Sequence, residues 1–294
     1  MIAKCLDSLI TQELDDRHSF QIIVVDDGST DNSADLINDA YENSINLIKL
    51  PVNQGRSTAR NIGAKSSDAD YLIFIDSDCI PTDTRFIQNY LQAIQNGNEL
   101  IFGQVSALGN GFWDKLQTDT FKNRKYEFEA GREWAYTTQN VCVDRKLFLK
   151  VGGFDLIFDR HGFEDRDLFI RLIESEAIVS YCETANVIHD DCISLKSVSD
   201  KMYKAGLHSA RPFRTRHPSY YAKTMYSMID GSQHRSLITI DRISWPISKI
   251  LVKSSSLWIE RVFIPYNIRK ILAKFTYALN YLHGTVEDNA KIKQ

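Results

Sequence analysis

The apolar run Tyr71-Leu-Ile-Phe-Ile75, closed by Asp76-Ser77-Asp78, constrains this chain most. Five consecutive apolar residues between polar flanks are too few for a globular helix and suit a strand buried on both faces. Such a strand needs a layer of helix on each side of its sheet. Two carboxylates at i and i+2 then stand at its C-terminal end, where an open α/β sheet places its ligand crevice. They suit a hard divalent ion, and Mg²⁺ is commonly held by one or two carboxylates plus substrate phosphates. The same triplet is also common in solvated turns, so its meaning depends on its neighbours.

Those neighbours repeat the pattern. Residues 2–11 have apolar positions at helical spacing, and 20–25 read as a buried strand. Asp26-Asp27-Gly28-Ser29-Thr30-Asp31 is a loop that ends in a helix N-cap, with the helix over 32–41. A strand over 45–50, a Gly-opened helix over 53–63, a helix over 84–96 and a strand over 99–107 follow. This alternation predicts an α/β fold: a largely parallel sheet covered by helices on both faces. Residues 108–136 are polar and aromatic with weak periodicity, and read as a surface excursion of the kind that forms lids or acceptor-binding loops. A turn at 152–155, a helix over 164–174 and short strands at 177–181 and 186–189 come next. Beyond residue 195 the chain becomes helical, basic and rich in Tyr and Trp. We expect an α/β domain over 1–210 and a basic helical extension over 211–294.

The formal net charge of -3 conceals an asymmetry. Residues 195–294 hold 17 Lys and Arg against 6 Asp and Glu, whereas residues 1–194 hold 18 against 32. The acidic part is no nucleic-acid binder, whereas the basic part suits nucleic acid, a membrane surface or an anionic acceptor. Five scattered cysteines without C-x-x-C spacing argue against a disulfide framework or a zinc site and for a reducing, cytoplasmic setting. No run of eighteen apolar residues is present.

Three further segments have chemistry in view, each with a plainer reading beside it. Asp26-Asp27-Gly28-Ser29 offers acids and backbone N–H groups at a helix start, or is simply an Asp/Gly turn. Glu164-Asp165-Arg166-Asp167 puts acids in the first turn of a helix, where they complement the dipole or serve as a general base. His189 ends a short apolar strand and is either structural or a third metal ligand.

Together these pieces resemble one family. Ile22-Ile-Val-Val-Asp-Asp-Gly-Ser-Thr-Asp31 is similar to the nucleotide-binding segment of family 2 glycosyltransferases of the GT-A fold. So are Asn53-x-Gly55 with Ala59-Arg60-Asn61-x-Gly63, and the D-x-D at 76–78. Val151-Gly-Gly-Phe-Asp155 with Gly162-Phe-Glu-Asp165 resembles the acceptor-side segment shared with galactosyl- and N-acetylgalactosaminyltransferases. The resemblance covers roughly residues 3–210.

It implies an inverting, metal-dependent transfer from a nucleotide-sugar, UDP-linked, to a hydroxyl of a surface glycan or lipid-linked precursor. By resemblance, Asp27 contacts the uracil, Asp76 lies near the ribose, and Arg60 belongs to the donor site. Asp78 and His189 bind the Mn or Mg ion, Asp165 is the catalytic base, and Glu164 holds the acceptor. One departure stands out. The family pattern opens with an apolar strand and its loop ahead of the helix that here begins at Met1–Ala3. Without that strand, 20–25 and 71–75 are expected to stand ~9–10 Å apart around an empty slot. The resulting expectation is a chain that is unstable or inactive alone, whether as a fragment or as a degenerate paralogue. A nucleotidyltransferase would want a Gly-rich, basic N-terminal loop, which is absent. A catalytically inactive nucleotide-sugar-binding scaffold is the alternative outside catalysis.

In the tail, Trp245, Ile247, Ile250, Leu251, Trp258 and Ile259 alternate with Lys and Arg. They form either a helical subdomain or an in-plane amphipathic helix with Trp at the headgroups of the inner membrane face.

Overall fold

A computed structural model describes residues 2–158, 160–261 and 263–292. The chain divides into two compact units. The first comprises residues 1–108, 117–159 and 165–191, and the second 109–116, 160–164 and 192–294.

The elements up to residue 191 are α1 (Ile2–Ile10), β1 (Ile23–Asp26), α2 (Ser33–Tyr41), β2 (Asn46–Lys49), α3 (Arg56–Lys65), β3 (Tyr71–Ile75) and β4 (Cys79–Pro81). They continue with α4 (Phe86–Gln95), β5 (Leu100–Ala107), α5 (Phe112–Glu129), β6 (Asn140–Asp144), α6 (Arg145–Lys150), α7 (Glu164–Glu174) and β7 (Val179–His189). The result is the expected α/β architecture, a sheet flanked by helices.

Strand direction refines the expectation of a largely parallel sheet. The main sheet runs β3-β6-β5-β7-β4. Within it β5 and β7 are parallel, whereas β6 is antiparallel to both β3 and β5, and β4 is antiparallel to β7. The apolar pattern assigned no element to 140–144, yet β6 lies in the middle of the sheet and is almost wholly buried. Its first residue is polar. Asn140 is buried, donates to the carbonyls of Gln104 and Ala185 (2.9 and 2.8 Å), and accepts from Tyr90 Oη at 2.7 Å. Gly103 makes room for this knot, since a Cβ there would stand 2.2 Å from Asn140 Nδ2. The two short strands expected near 177–189 are one strand, β7, whose pairing with β5 shifts between Gly103 and Gln104.

The strand at 20–25 becomes β1, which pairs in parallel with β2 as a separate two-stranded sheet. Ile22 and, from β3, Ile73 and Ile75 pack against the same buried cluster, which includes Cys5 and Leu9 of α1. Among the described residues, β1 and β3 are held over this core without a backbone hydrogen bond between them.

Residues 108–136 correct the expectation of an irregular excursion, because most of them form the 18-residue α5. Its aromatic and charged positions are mixed around the helix rather than gathered in one stripe, so the 3.6-residue period is faint.

The second unit is helical: α8 (Leu195–Lys204), a π turn at Ala205–Ser209, α9 (Ala210–Arg216), α10 (Pro218–Ala222), α11 (Met225–Met228), α12 (Arg235–Lys253) and α13 (Tyr266–Ile292). Ser194 starts α8 with a capping box, accepting from Ser197 N at 3.0 Å. The π turn and α13 cross at two glycines. A Cβ on Gly206 would stand 2.4 Å from Tyr281 O, and one on Gly284 2.3 Å from Tyr203 O.

The tryptophans of the tail turn inward rather than to a headgroup layer. Trp245 stacks on His283 with ring centres 3.7 Å apart, and Trp258 Nε1 donates to Leu251 O at 3.3 Å. Ile259 is buried beside Leu195 and Ala273.

Candidate functional site

The antiparallel pairing of β4 with β7 sets Cys79 opposite His189. Asp78, one residue earlier, therefore reaches the ring: its Oδ2 lies 3.5 Å from His189 Nε2. Asp190 N donates to Asp78 O at 2.8 Å and pins the two segments together. His189 is nearly buried, and Gln117 of α5 lies 2.6 Å from its Nδ1. The Gln117 carbonyl oxygen can only accept, so Nδ1–H donates to it and Nε2 is the ring nitrogen turned toward Asp78.

Asp78, Cys79 and His189 form a cluster whose ligand atoms all lie within 4.8 Å of one another. The thiol is the least suited of the three. Burial, followed by the charges of Asp76 and Asp78, pushes the Cys79 pKa far up. Burial and the same two acids push Cys5, on α1, up to about 12. A thiol is also the softest of the three donors, so the carboxylate and the imidazole are the pair suited to a harder ion. That donor set fits Mn²⁺ or Mg²⁺ bound with a diphosphate.

Two residues before Asp78, the other acid of the triplet meets Arg60. Arg60 Nη2 donates to Asp76 Oδ1 at 2.7 Å and Nη1 to Asp165 Oδ1 at 3.4 Å. The guanidinium thus ties the end of β3 to the first turn of α7. It also lies over the Phe154 ring at 5.3 Å. Asp165 is held further by Thr138, whose Oγ1 donates to Oδ1 at 2.7 Å. α7 is anchored by Arg171, which binds Asp167 and donates to the carbonyls of Val151 and Gly153 (2.6 and 2.8 Å). This fixes the Gly-Gly-Phe turn against the helix that carries Asp165.

Asp27 sits at the other end of α3. Its two oxygens accept from the N–H groups of Gln54 and Gly55, at 2.7 and 2.8 Å, and so set the loop that launches the helix carrying Arg60. Gly28 beside it has φ +70°, and a Cβ there would stand 2.5 Å from Asn53 N. Glu164 belongs to the second unit, is buried, and accepts from Gly162 N at 2.7 Å. Phe163 between them has φ 67°, a left-handed conformation that is costly for a bulky residue.

Direct contacts therefore join Arg60, Asp76 and Asp165, and separately Asp78 and His189. Asp27 acts on the backbone ahead of α3, and Glu164 accepts from the N–H of Gly162 in its own loop. Gln117 and Thr138 went unnoticed in the sequence. Both fall where the pattern was weakest, and an uncharged amide or hydroxyl has no spacing signature.

Comparison with known proteins bears on the family and the fold. The family model "Glycosyl transferase family 2" matches residues 1–151. A glycosyltransferase of Haemophilus influenzae, described as uncharacterized, is 42% identical over 216 residues, which is 72% of this chain and 82% of that protein. Glycosyltransferase GlyA of Streptococcus pneumoniae serotype 4 is 28% identical over 170 residues, and there the match spans 55% of this chain and only 23% of the relative. Among solved structures, the mannosyltransferase PcManGT of Pyrobaculum calidifontis, in complex with GDP-Man and Mn²⁺, aligns with all of this chain and 84% of its own. Its TM-score is 0.63 at 15% identity, which establishes a shared fold. The acids at the strand ends, the sheet that carries them and the extent of these matches lead to one conclusion: this chain belongs to glycosyl transferase family 2, with the GT-A fold.

Proposed function

We propose that the protein transfers one sugar, with inversion, from a nucleoside-diphosphate donor to a hydroxyl of a surface glycan or its lipid-linked precursor. The observation that carries this reading is the Arg60 bridge between Asp76 and Asp165, with the Asp78–His189 pair beginning two residues beyond Asp76.

Asp165 accepts the proton of the acceptor hydroxyl as that oxygen bonds to the anomeric carbon. The bond from that carbon to the donor phosphate oxygen breaks on the opposite face, and the nucleoside diphosphate leaves. Attack from the opposite face inverts the anomeric configuration. Asp78 and His189 would hold Mn²⁺ or Mg²⁺, which when bound stabilises the charge growing on the leaving diphosphate. Asp27 receives the base of the donor, UDP-linked by the family resemblance, and Asp76 with Arg60 borders the ribose and diphosphate. Glu164 orients the acceptor. GDP-Man and Mn²⁺ in the structural neighbour support a nucleotide-sugar and a divalent ion here. Residues 1–210 are taken as the transferase domain and 211–294 as its helical extension. The enzyme would work from the cytoplasmic side, against the membrane. A second reading, donor binding without transfer, draws on the unpaired edges of β1 and β3.

The test is a donor screen by thermal stabilisation, with and without Mn²⁺, followed by transfer assays. A true donor at a hundred times its Kd adds about 2.7 kcal/mol. Asp78→Ala should abolish the metal-dependent part of donor binding. Asp165→Asn should keep donor binding while turnover falls roughly 10²-fold or more. Equal loss of donor binding in both variants removes Asp165 from the base role, and donor binding without turnover in the unsubstituted protein favours the second reading.

A further inference from the structure

α12 carries three distinct lines of side chains. Asp241, Ser244 and Ser248 are buried: Asp241 lies 3.0 Å from His283 Nδ1, and Ser248 Oγ accepts from Asn280 Nδ2 at 2.7 Å. This line faces α13. A second line, Ile240, Ile243, Ile247 and Ile250, is spaced by threes and fours and so runs along one side of the helix. These four are 48, 67, 46 and 65% exposed, an aliphatic stripe that no element among the described residues covers. A third line is basic: Arg235, Arg242 and Lys249 recur at sevens, and Lys253 ends the helix.

The only acid on α12, Asp241, is the buried one that faces His283, so nothing on the outward sides offsets the basic charge. Arg235 and Arg242 make no ion pair among the described residues. Both border a concavity of about 420 Å³, which Ser232, Thr239 and Asn289 also line with hydrogen-bonding groups. Two free guanidiniums, hydroxyls and an amide around one hollow are the groups that recognise phosphate oxygens.

The geometry points to α12 as a docking surface for an anionic membrane. Headgroup phosphates occupy the concavity beside Arg235 and Arg242, and the isoleucine stripe enters the acyl boundary next to it. A helix lying in the plane of the interface needs this combination, an apolar strip flanked by cations. The basic strip alone would suit any polyanion; the adjoining exposed aliphatic strip selects a lipid surface. This assignment extends the lipid-linked acceptor reading above and rests on it only for what the membrane presents. Its test needs neither donor nor turnover.

The full chain is sedimented with vesicles of phosphatidylcholine, with and without phosphatidylglycerol. Binding is expected only to the phosphatidylglycerol vesicles, and to weaken as salt shortens the Debye length to about 8 Å and below. The double variant I243S/I247S keeps every charge and should bind roughly tenfold or more weakly. R235S/R242S should lose binding to a similar degree. All four side chains are exposed, and unchanged thermal unfolding establishes that the variants are folded. Undiminished vesicle binding by I243S/I247S overturns the assignment. So does a protein that binds inorganic phosphate through Arg235 and Arg242 but ignores vesicles, which would make the concavity a site for a soluble phosphate.

Discussion

Arg60 shows how one side chain can join acids that lie far apart in the sequence. It is largely buried, and its two forks pair with Asp76 and Asp165, acids 89 residues apart in the sequence. Gln117 plays a comparable part for His189. By accepting from Nδ1–H it holds the ring with Nε2 toward Asp78. Gln117→Ala should therefore weaken Mn²⁺ binding by about 10–100-fold, as loss of a ligand's hydrogen-bond partner commonly does. Isothermal titration of the donor-bound protein with Mn²⁺ checks this, and an unaltered affinity would remove Gln117 from the site. Acids at strand ends and helix starts are common, so those at 76, 78 and 165 were legible only through the order of the motifs around them. Gln117 was not, because a glutamine on a helix surface is indistinguishable from a solubilising one until β4 and β7 bring His189 to it.

At the scale of elements, the most consequential feature is the break between β1 and β3. Each presents an edge with no strand upon it among the described residues, and each is only half-buried, in contrast to β5 and β6. An unpaired edge leaves N–H and C=O groups that cost about 1–3 kcal/mol each where water is excluded. The outward-facing amides of residues 23–26 and 71–75 should exchange with deuterium far faster than those of β6. Hydrogen exchange read residue by residue settles the matter, and protection of β1 and β3 equal to that of β6 would contradict it. The strand-and-helix alternation was readable from hydrophobic runs bounded by turn residues. The antiparallel insertion of β6 was not, because a buried run has the same composition whichever way its neighbours point.

The whole molecule responds to alkali through its buried phenols. Burial raises the pKa of Tyr90 and Tyr136 in the first unit and of Tyr221 and Tyr281 in the second. Burial, with the Glu287 carboxylate beside it, lifts Tyr203 up to about 12. These groups stay protonated in the folded protein while the unfolded chain ionises near the ordinary value of 10.0. Their contribution is thus fully present below that value and is lost as pH rises through it toward the folded values. Urea midpoints should be similar at about pH 8 and about pH 9 and fall sharply by about pH 11. A flat profile to pH 11 would mean that the phenols are hydrated in the native state.

The sequence by itself determined the class of fold and the family. It did so because strands of a helix-covered sheet are written as short apolar runs bounded by turn residues, and because the motifs follow one another in the family's order. It also held the basic tail, but not its use. Only the tertiary structure decided which faces of that tail are spoken for: Trp245 and Trp258 turned inward to His283 and Leu251, and four isoleucines were left in solvent. The physical reason is the same throughout. Local periodicity records how much of an element is buried, whereas partners distant in sequence decide against what, and a residue such as Arg60, Gln117 or Ile243 takes its meaning from the partner.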